Sequence, residues 1–365
     1  MAEGGVPGVE DVARLGRWLA ENGIGGGTPA VRLIGGGRSN LTYQLDVGPA
    51  DGQAGPGRLV LRRPPLGHVL PTAHDMAREY RVLTALTGTE VPVPRPLALC
   101  QDTDVIGAPF YVMEHVDGVV LRDHDDAAVL TPHQAGLVSH RFVEMLAAIH
   151  GLDVAAVGLS GFGKPEGYLA RQLARWQRQW ELSATREMPG YDELTRRLEA
   201  GLAAATSPTA SGPAAPGPAG GLVHGDYRLD NMLIVAGEEP RIAAVVDWEM
   251  STLGDPLADL GLALVYWTDP GEQDWLALRV AASVTTAPGF LTREQLAAEY
   301  ARITGRDLSQ LGYYMAFGCF KLAVVLEGIH ARFLQRKTVG EGFEREGEAV
   351  QALIERAHRM LDTGQ

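Results

Sequence analysis

Apolar residues recur with two different periods along this chain, and the change of period divides it. Before Gly118 the apolar segments have the length of strands: Val31 to Ile34, Leu41 to Leu45, Leu59 to Arg62, and Phe110 to Val116, each bounded by glycine or polar residues. The first two flank Gly35-Gly36-Gly37-Arg38-Ser39-Asn40, which reads as strand, glycine turn and strand. Two helices are expected in this part, Val12 to Glu21 and a second on which Met76, Tyr80, Leu83 and Leu86 form one stripe. Beyond Gly118 the spacing is helical. Val138, Phe142, Met145, Leu146 and Ile149 make a stripe ending near His150-Gly151, where His150 suits the negative pole of a helix. Leu169, Leu173, Trp176 and Trp180 make another, interleaved with Arg171, Arg175 and Arg178. Tyr313, Phe317, Phe320, Val324 and Ile329 belong to a helix near the end of the chain. Ile242 to Val246 is a further strand-like run, and the turn Gly254-Asp255-Pro256 starts a helix at Pro256 with Asp255 as its N-cap.

These elements predict an α+β chain of two lobes, a β-rich part over residues 1–115 and a helical part over 116–365, a division also expected because 365 residues exceed the size at which one core usually splits. Residues 201–221 carry no charge and consist of Ala, Gly, Pro, Ser and Thr apart from Leu202, which predicts a flexible insertion within the second lobe.

Composition narrows the function. A net charge of −13 argues against a nucleic-acid surface. No run of about 18 apolar residues is evident and the first residues lack a signal peptide's pattern, so no membrane association and a cytoplasmic location are expected. Cys100 and Cys319 read as buried thiols, and no C-x-x-C spacing proposes zinc.

The chemistry-bearing residues lie between 224 and 247. His224-Gly225-Asp226-Tyr227-Arg228-Leu229-Asp230-Asn231 has the offsets of the kinase catalytic loop H-R-D-x-x-x-x-N, and Asp247-Trp248-Glu249 stands at a strand end where D-F-G would follow. An H-x-D pair alone is also what a capped turn looks like; the second motif, in the right context, favours chemistry. Phosphoryl transfer needs one carboxylate to take a hydroxyl proton and hard oxygen ligands for Mg²⁺. Asp226 fits the base, and Asn231 and Asp247 fit the metal ligands. His224 fits a loop brace, as does Asp259 from the helix that follows. Glu249 is read as a solvated or capping carboxylate, with a second metal as the other possibility. On the strand side, Arg62 stands where V-A-I-K carries its lysine and Glu79 follows seventeen residues later, so an Arg62–Glu79 pair is expected to hold the α- and β-phosphates of ATP. Strand alternation points Arg63 to the other face. Gly36, Gly37, Ser39 and Asn40 are the candidates for touching the phosphates.

The loop His224 to Asn231, with Val245-Val246-Asp247-Trp248-Glu249 and Gly254-Asp255-Pro256-Leu257-Ala258-Asp259-Leu260-Gly261, resembles the aminoglycoside phosphotransferase and choline-kinase-like superfamily. Leu59 to Pro65, Pro71 to Glu79 and Ile106 to Val116 resemble, more closely still, the kinase-like domain associated with acyl-CoA dehydrogenases. The resemblance implies a protein-kinase-like fold, Mg²⁺ and ATP, and transfer of the γ-phosphoryl group to a small-molecule hydroxyl. It also implies a hinge at Glu114, His115 and Val116 whose main chain pairs with adenine. The Trp176 stripe reads first as packing, while the resemblance would put Trp176 or Arg175 near the acceptor, and Glu327 and His330 are guessed to face the cleft. The closer group implies a hydroxyacyl acceptor, carried as a CoA thioester; the wider superfamily implies aminoglycosides, choline, homoserine or sugars. Arg62 departs from the usual lysine, and a nucleotide-binding module without turnover is the alternative that this departure favours.

Overall fold

The computed structural model describes residues 6–36, 40–48, 57–66, 75–206, 220–272, 283–336 and 346–363. It separates into two compact units, residues 1–117 with 244–249 and residues 118–243 with 250–365. The chain is α+β, as its periods predict.

The first unit is built on five antiparallel strands, β1 (Gly26–Gly36), β2 (Leu41–Gly48), β3 (Arg58–Arg63), β4 (Pro96–Cys100) and β5 (Phe110–Glu114), in the order β1-β2-β3-β5-β4. Helix α1 (Val12–Glu21) packs on the sheet through Leu15 and Leu19, and its Trp18 meets Phe110 edge-on at 4.8 Å. Being central, β3 is buried on both faces. Its two consecutive arginines therefore diverge: Arg63 bonds the carbonyls of Gly8 and Ile106, on the α1 side, while Arg62 turns to the opposite face. Helix α2 (Met76–Leu86) starts at an N-cap, Asp75, whose carboxylate accepts the Arg78 N–H at 3.0 Å. Its buried stripe is Met76, Glu79, Val82, Leu83 and Leu86, so a carboxylate sits within the apolar face and Tyr80 only borders it.

The second unit is helical: α3 (Pro132–Gly151), α4 (Tyr168–Ser183), α5 (Tyr191–Ala205), α6 (Pro256–Tyr266), α7 (Arg293–Thr304), α8 (Leu311–Leu334) and α9 (Glu346–Thr363). Two small ladders carry the loops of interest, β6 (Gly221–Val223) with β9 (Thr252–Gly254), and β7 (Met232–Val235) with β8 (Arg241–Val245). Helix α8 is the axis on which α4, α5, α6 and α9 pack. Among the described residues it is the one helix long and apolar enough to cross a membrane, and 78% of that apolar stretch is buried inside the protein. This apolar stretch differs from the expectation that the chain contains none. Its apolarity serves packing on several faces at once, which a helix hydrophobic all round requires.

Two further expectations change here. Gly201 to Ala205 are not part of a loose insertion but the end of α5; alanines favour the helix, and Gly201 lies where a Cβ would stand 2.7 Å from the Tyr313 ring. Residues 207–219 of that segment lie outside the described residues. His150 is no solvated cation at a helix pole. Its last turn of α3 packs under β6, and its ring is buried between Tyr300, 2.7 Å from Nδ1, and Asp259, 3.3 Å from Nε2.

Candidate active site

Asp226 ends a loop whose backbone is fixed from below. Asp259, on the first turns of α6, accepts the His224 N–H at 2.7 Å and the Gly225 N–H at 2.8 Å. Asp255 caps the same helix by accepting the Leu257 N–H, and Pro256 occupies its first position. Burial alone would raise the Asp259 carboxyl, but its hydrogen bonds, with the His150 ring and from the His224 N–H, outweigh it and hold Asp259 below the ordinary value. Burial depresses His150, so the imidazole is neutral and presents one donor and one acceptor. His224 is fully buried and its Nδ1 accepts the Asp226 N–H at 3.3 Å, a bracing role. Gly225 has φ +83°, and a Cβ there would stand 2.5 Å from the Met250 carbonyl oxygen, so glycine is required by both conformation and space.

The Asp226 carboxylate is held at both oxygens. Tyr266, the last residue of α6, donates its hydroxyl to Oδ1 at 2.6 Å, and the Asn231 amide donates to Oδ2 at 3.1 Å and to the Asp226 carbonyl at 2.8 Å. With its nitrogen committed to Asp226, Asn231 has Oδ1 as the atom that suits a hard cation. Arg228 lies 4.5 Å over the Tyr266 ring and pairs with Asp230. Lys321 on α8 donates to the Gly225 carbonyl and lies 5.6 Å over the Trp176 ring. Burial lowers the Lys321 ammonium from its ordinary value, while Asp226 and Asp259 work to keep it charged.

In the first unit, Arg62 donates to Glu79 at 3.1 Å and to Asp247, with Glu249 at 4.0 Å. One guanidinium thus faces three carboxylates, and the surplus of negative charge suits a divalent cation. Burial pulls the Arg62 guanidinium down, but Glu79 and Asp247 outweigh it and hold it well above the usual value. Burial pushes the Glu79 carboxyl up in spite of Arg62. Asp247 itself has φ +66°, a left-handed conformation that a non-glycine residue adopts at a cost on the order of 1–3 kcal/mol and that concentrates at functional sites. Glu249 is not a solvated carboxylate: it accepts the Asn40 amide at 2.8 Å.

Of the other sequence-derived candidates, Asn40 is buried beside Glu249, and Gly36 ends β1. Gly37 and Ser39 lie outside the described residues. The Glu114 N–H bonds the Arg95 carbonyl and its side chain pairs with the Arg95 guanidinium, so the hinge amide assigned to it is already used; His115 stands 3.6 Å from Asp117, and Val116 is half-buried. Trp176 is buried and Arg175 is exposed beside it. Glu327 is fully buried and accepts the Thr185 N–H and hydroxyl, and His330 meets Arg186 at 3.2 Å, so both brace the α4–α5 connection. Sequence reasoning missed Tyr266 and Lys321. Tyr266 left no signal, lying 40 residues from Asp226. Lys321 did: it is the lone charge between Leu311 and Leu326, and a cation in so apolar a helix needs a reason.

The profile of the phosphotransferase enzyme family, APH, matches residues 30–296. The chain belongs to this family. Among curated proteins it is 35% identical over 335 residues to acyl-CoA dehydrogenase family member 11 of Gallus gallus, covering 90% of this chain and 40% of that protein. It is 32% identical over 336 residues to a protein of Arabidopsis thaliana named as a probable acyl-CoA dehydrogenase, IBR3, covering 90% and 39%. The chain therefore spans about two-fifths of the length of these relatives. A Ralstonia eutropha JMP134 structure provisionally assigned as an aminoglycoside phosphotransferase matches with TM-score 0.74 and 32% identity, covering 97% of this chain and 98% of that one. A Mesorhizobium loti choline/ethanolamine kinase family protein matches with TM-score 0.58 at 18% identity over 92% of each chain. At that identity the likeness concerns the fold, which in this phosphotransferase chain is the two-lobed, kinase-like one.

Proposed function

We propose that this phosphotransferase moves the γ-phosphoryl group of ATP to a small-molecule hydroxyl, and that the acceptor is a hydroxyacyl group carried on coenzyme A. The observation that carries the reading is Asp226, a carboxylate fixed at both oxygens at the end of a loop locked by Asp259. Asp226 takes the proton of the acceptor hydroxyl as its oxygen bonds to the γ-phosphorus; the bond from that phosphorus to the β,γ-bridging oxygen breaks, and ADP leaves. Asn231 and Asp247 are the residues that would hold Mg²⁺, which when bound neutralises phosphate charge. Arg62, oriented by Glu79, and the segment Gly36, Gly37, Ser39 and Asn40 hold the phosphates, and His115 and Val116 hold the base.

The relatives' names, acyl-CoA dehydrogenases, support a CoA thioester as the acceptor class. The test is transfer of label from [γ-³²P]ATP with Mg²⁺ across hydroxyacyl-CoAs, aminoglycosides and amino alcohols. Label on a hydroxyacyl-CoA that disappears in Asp226→Asn is the expected result, and label on an aminoglycoside or amino alcohol alone overturns the acceptor assignment.

A second reading rests on one contact: Arg62 engages Asp247 as well as Glu79, which a lysine's single ammonium is less suited to do. A guanidinium that keeps Asp247 would make this a nucleotide-binding module without turnover. Nucleotide binding with no product from any acceptor is its signature.

A further inference from the structure

The hydroxyl of Tyr266 occupies the one oxygen of Asp226 that the catalytic loop itself leaves unengaged. Asn231, from the loop, donates to Oδ2 and to the main-chain carbonyl, whereas Oδ1 receives its hydrogen bond from the far end of α6. We propose that Tyr266 is the positioning residue of the phosphoryl-transfer reaction, fixing the rotation of the Asp226 carboxylate so that Oδ2 is the atom that meets the acceptor hydroxyl.

Three observations support the assignment, which rests on the transferase reading given above. The same helix does both jobs: Asp259, in its first turn, fixes the loop backbone, and Tyr266, at its last residue, fixes the side chain. The base is thereby referenced to one rigid element. The tyrosine ring lies under Arg228 at 4.5 Å, and Arg228 is tied to Asp230. Third, burial and then the charge of Asp226 push the Tyr266 phenol well above its ordinary value, so it stays a donor at every working pH and does not compete with the acceptor for the proton. Among the described residues, the charged groups that interact with Asp226 include Arg228 and Asp230 from its own loop and Lys321 from α8, and the hydrogen bond to Oδ1 comes from Tyr266.

Tyr266→Phe removes one oxygen atom and keeps the ring under Arg228. A carboxylate free to rotate meets the acceptor in the correct geometry less often, so kcat should fall roughly 10- to 100-fold, the scale of a misplaced catalytic group. The acceptor KM, the ATP dissociation constant and the melting temperature should stay within about twofold and about 2 °C of wild type. The measurement is steady-state transfer with Tyr266→Phe beside wild type and Asp226→Asn. Wild-type kcat in Tyr266→Phe, or a fall in kcat matched by loss of nucleotide binding and thermal stability, overturns the proposal while leaving the transferase reading intact. Absence of transfer by the wild type to every acceptor overturns both.

Discussion

Replacing Asp259 by asparagine tests the claim that this buried carboxylate holds the catalytic loop. Asp259 Oδ2 accepts the His224 N–H at 2.7 Å and faces His150 Nε2 at 3.3 Å; Oδ1 accepts the Gly225 N–H at 2.8 Å. Asparagine offers one carbonyl oxygen. Whichever way the amide turns, its nitrogen confronts a backbone N–H that has no other place to go, and one donor is left buried without an acceptor. Hydrogen bonds to charged groups contribute about 1.5–3 kcal/mol each, and an unsatisfied buried donor costs about 1–3 kcal/mol. Because the substitution loses the charge on the surviving bond and one bond entirely, a destabilisation of about 3 kcal/mol is expected. For a chain of this size that is a fall in melting temperature of roughly 4 °C. The loop should also lose its geometry, so kcat drops at least about tenfold in the folded variant. Thermal denaturation followed by tryptophan fluorescence, paired with transfer assays well below the melting temperature, measures both. An unchanged melting temperature together with wild-type kcat would refute the reasoning, since it would show that the loop keeps its shape without the carboxylate.

Gly225→Ala should cost about 2 kcal/mol or more in urea denaturation, since φ +83° and the Met250 carbonyl 2.5 Å away both oppose a Cβ; a loss below about 0.5 kcal/mol contradicts the close approach. Arg62→Ala leaves Glu79 buried without its cation and should destabilise by about 3–5 kcal/mol at neutral pH. That loss should shrink as pH falls, because burial already pushes the Glu79 carboxyl toward its neutral form. Burial places the folded-state value of His150 below its unfolded value of 6.5, so the unfolded chain binds more protons in the interval between them. The stability linked to His150 is thus fully present above pH 6.5 and is lost as pH falls from there through the folded value. Melting temperatures from pH 8 down to pH 5 should show this decline in wild type and a flatter one in His150→Gln; parallel curves would refute the assignment.

The sequence by itself determined the local elements and the phosphotransferase family. Helical spacing located the cores of α3, α4 and α8, the Gly254-Asp255-Pro256 turn located the start of α6, and the offsets within His224 to Asn231 singled out Asp226 and Asn231. Strand alternation separated Arg62 from Arg63, and the spacing from Arg62 to Glu79 anticipated their ion pair. These are short-range properties, set by backbone period, capping and the distance from one side chain to the next. Tertiary structure alone decided that Tyr266 bonds Asp226, that Lys321 reaches the Gly225 carbonyl, that His150 is buried and neutral, and that Arg62 is shared between Glu79 and Asp247. Periodicity tells which face of a helix is covered and not by what. A hydrogen bond needs its two atoms placed to within a few tenths of an ångström, and across 40 or 96 residues only the packing of α6 and α8 beneath the loop supplies that precision.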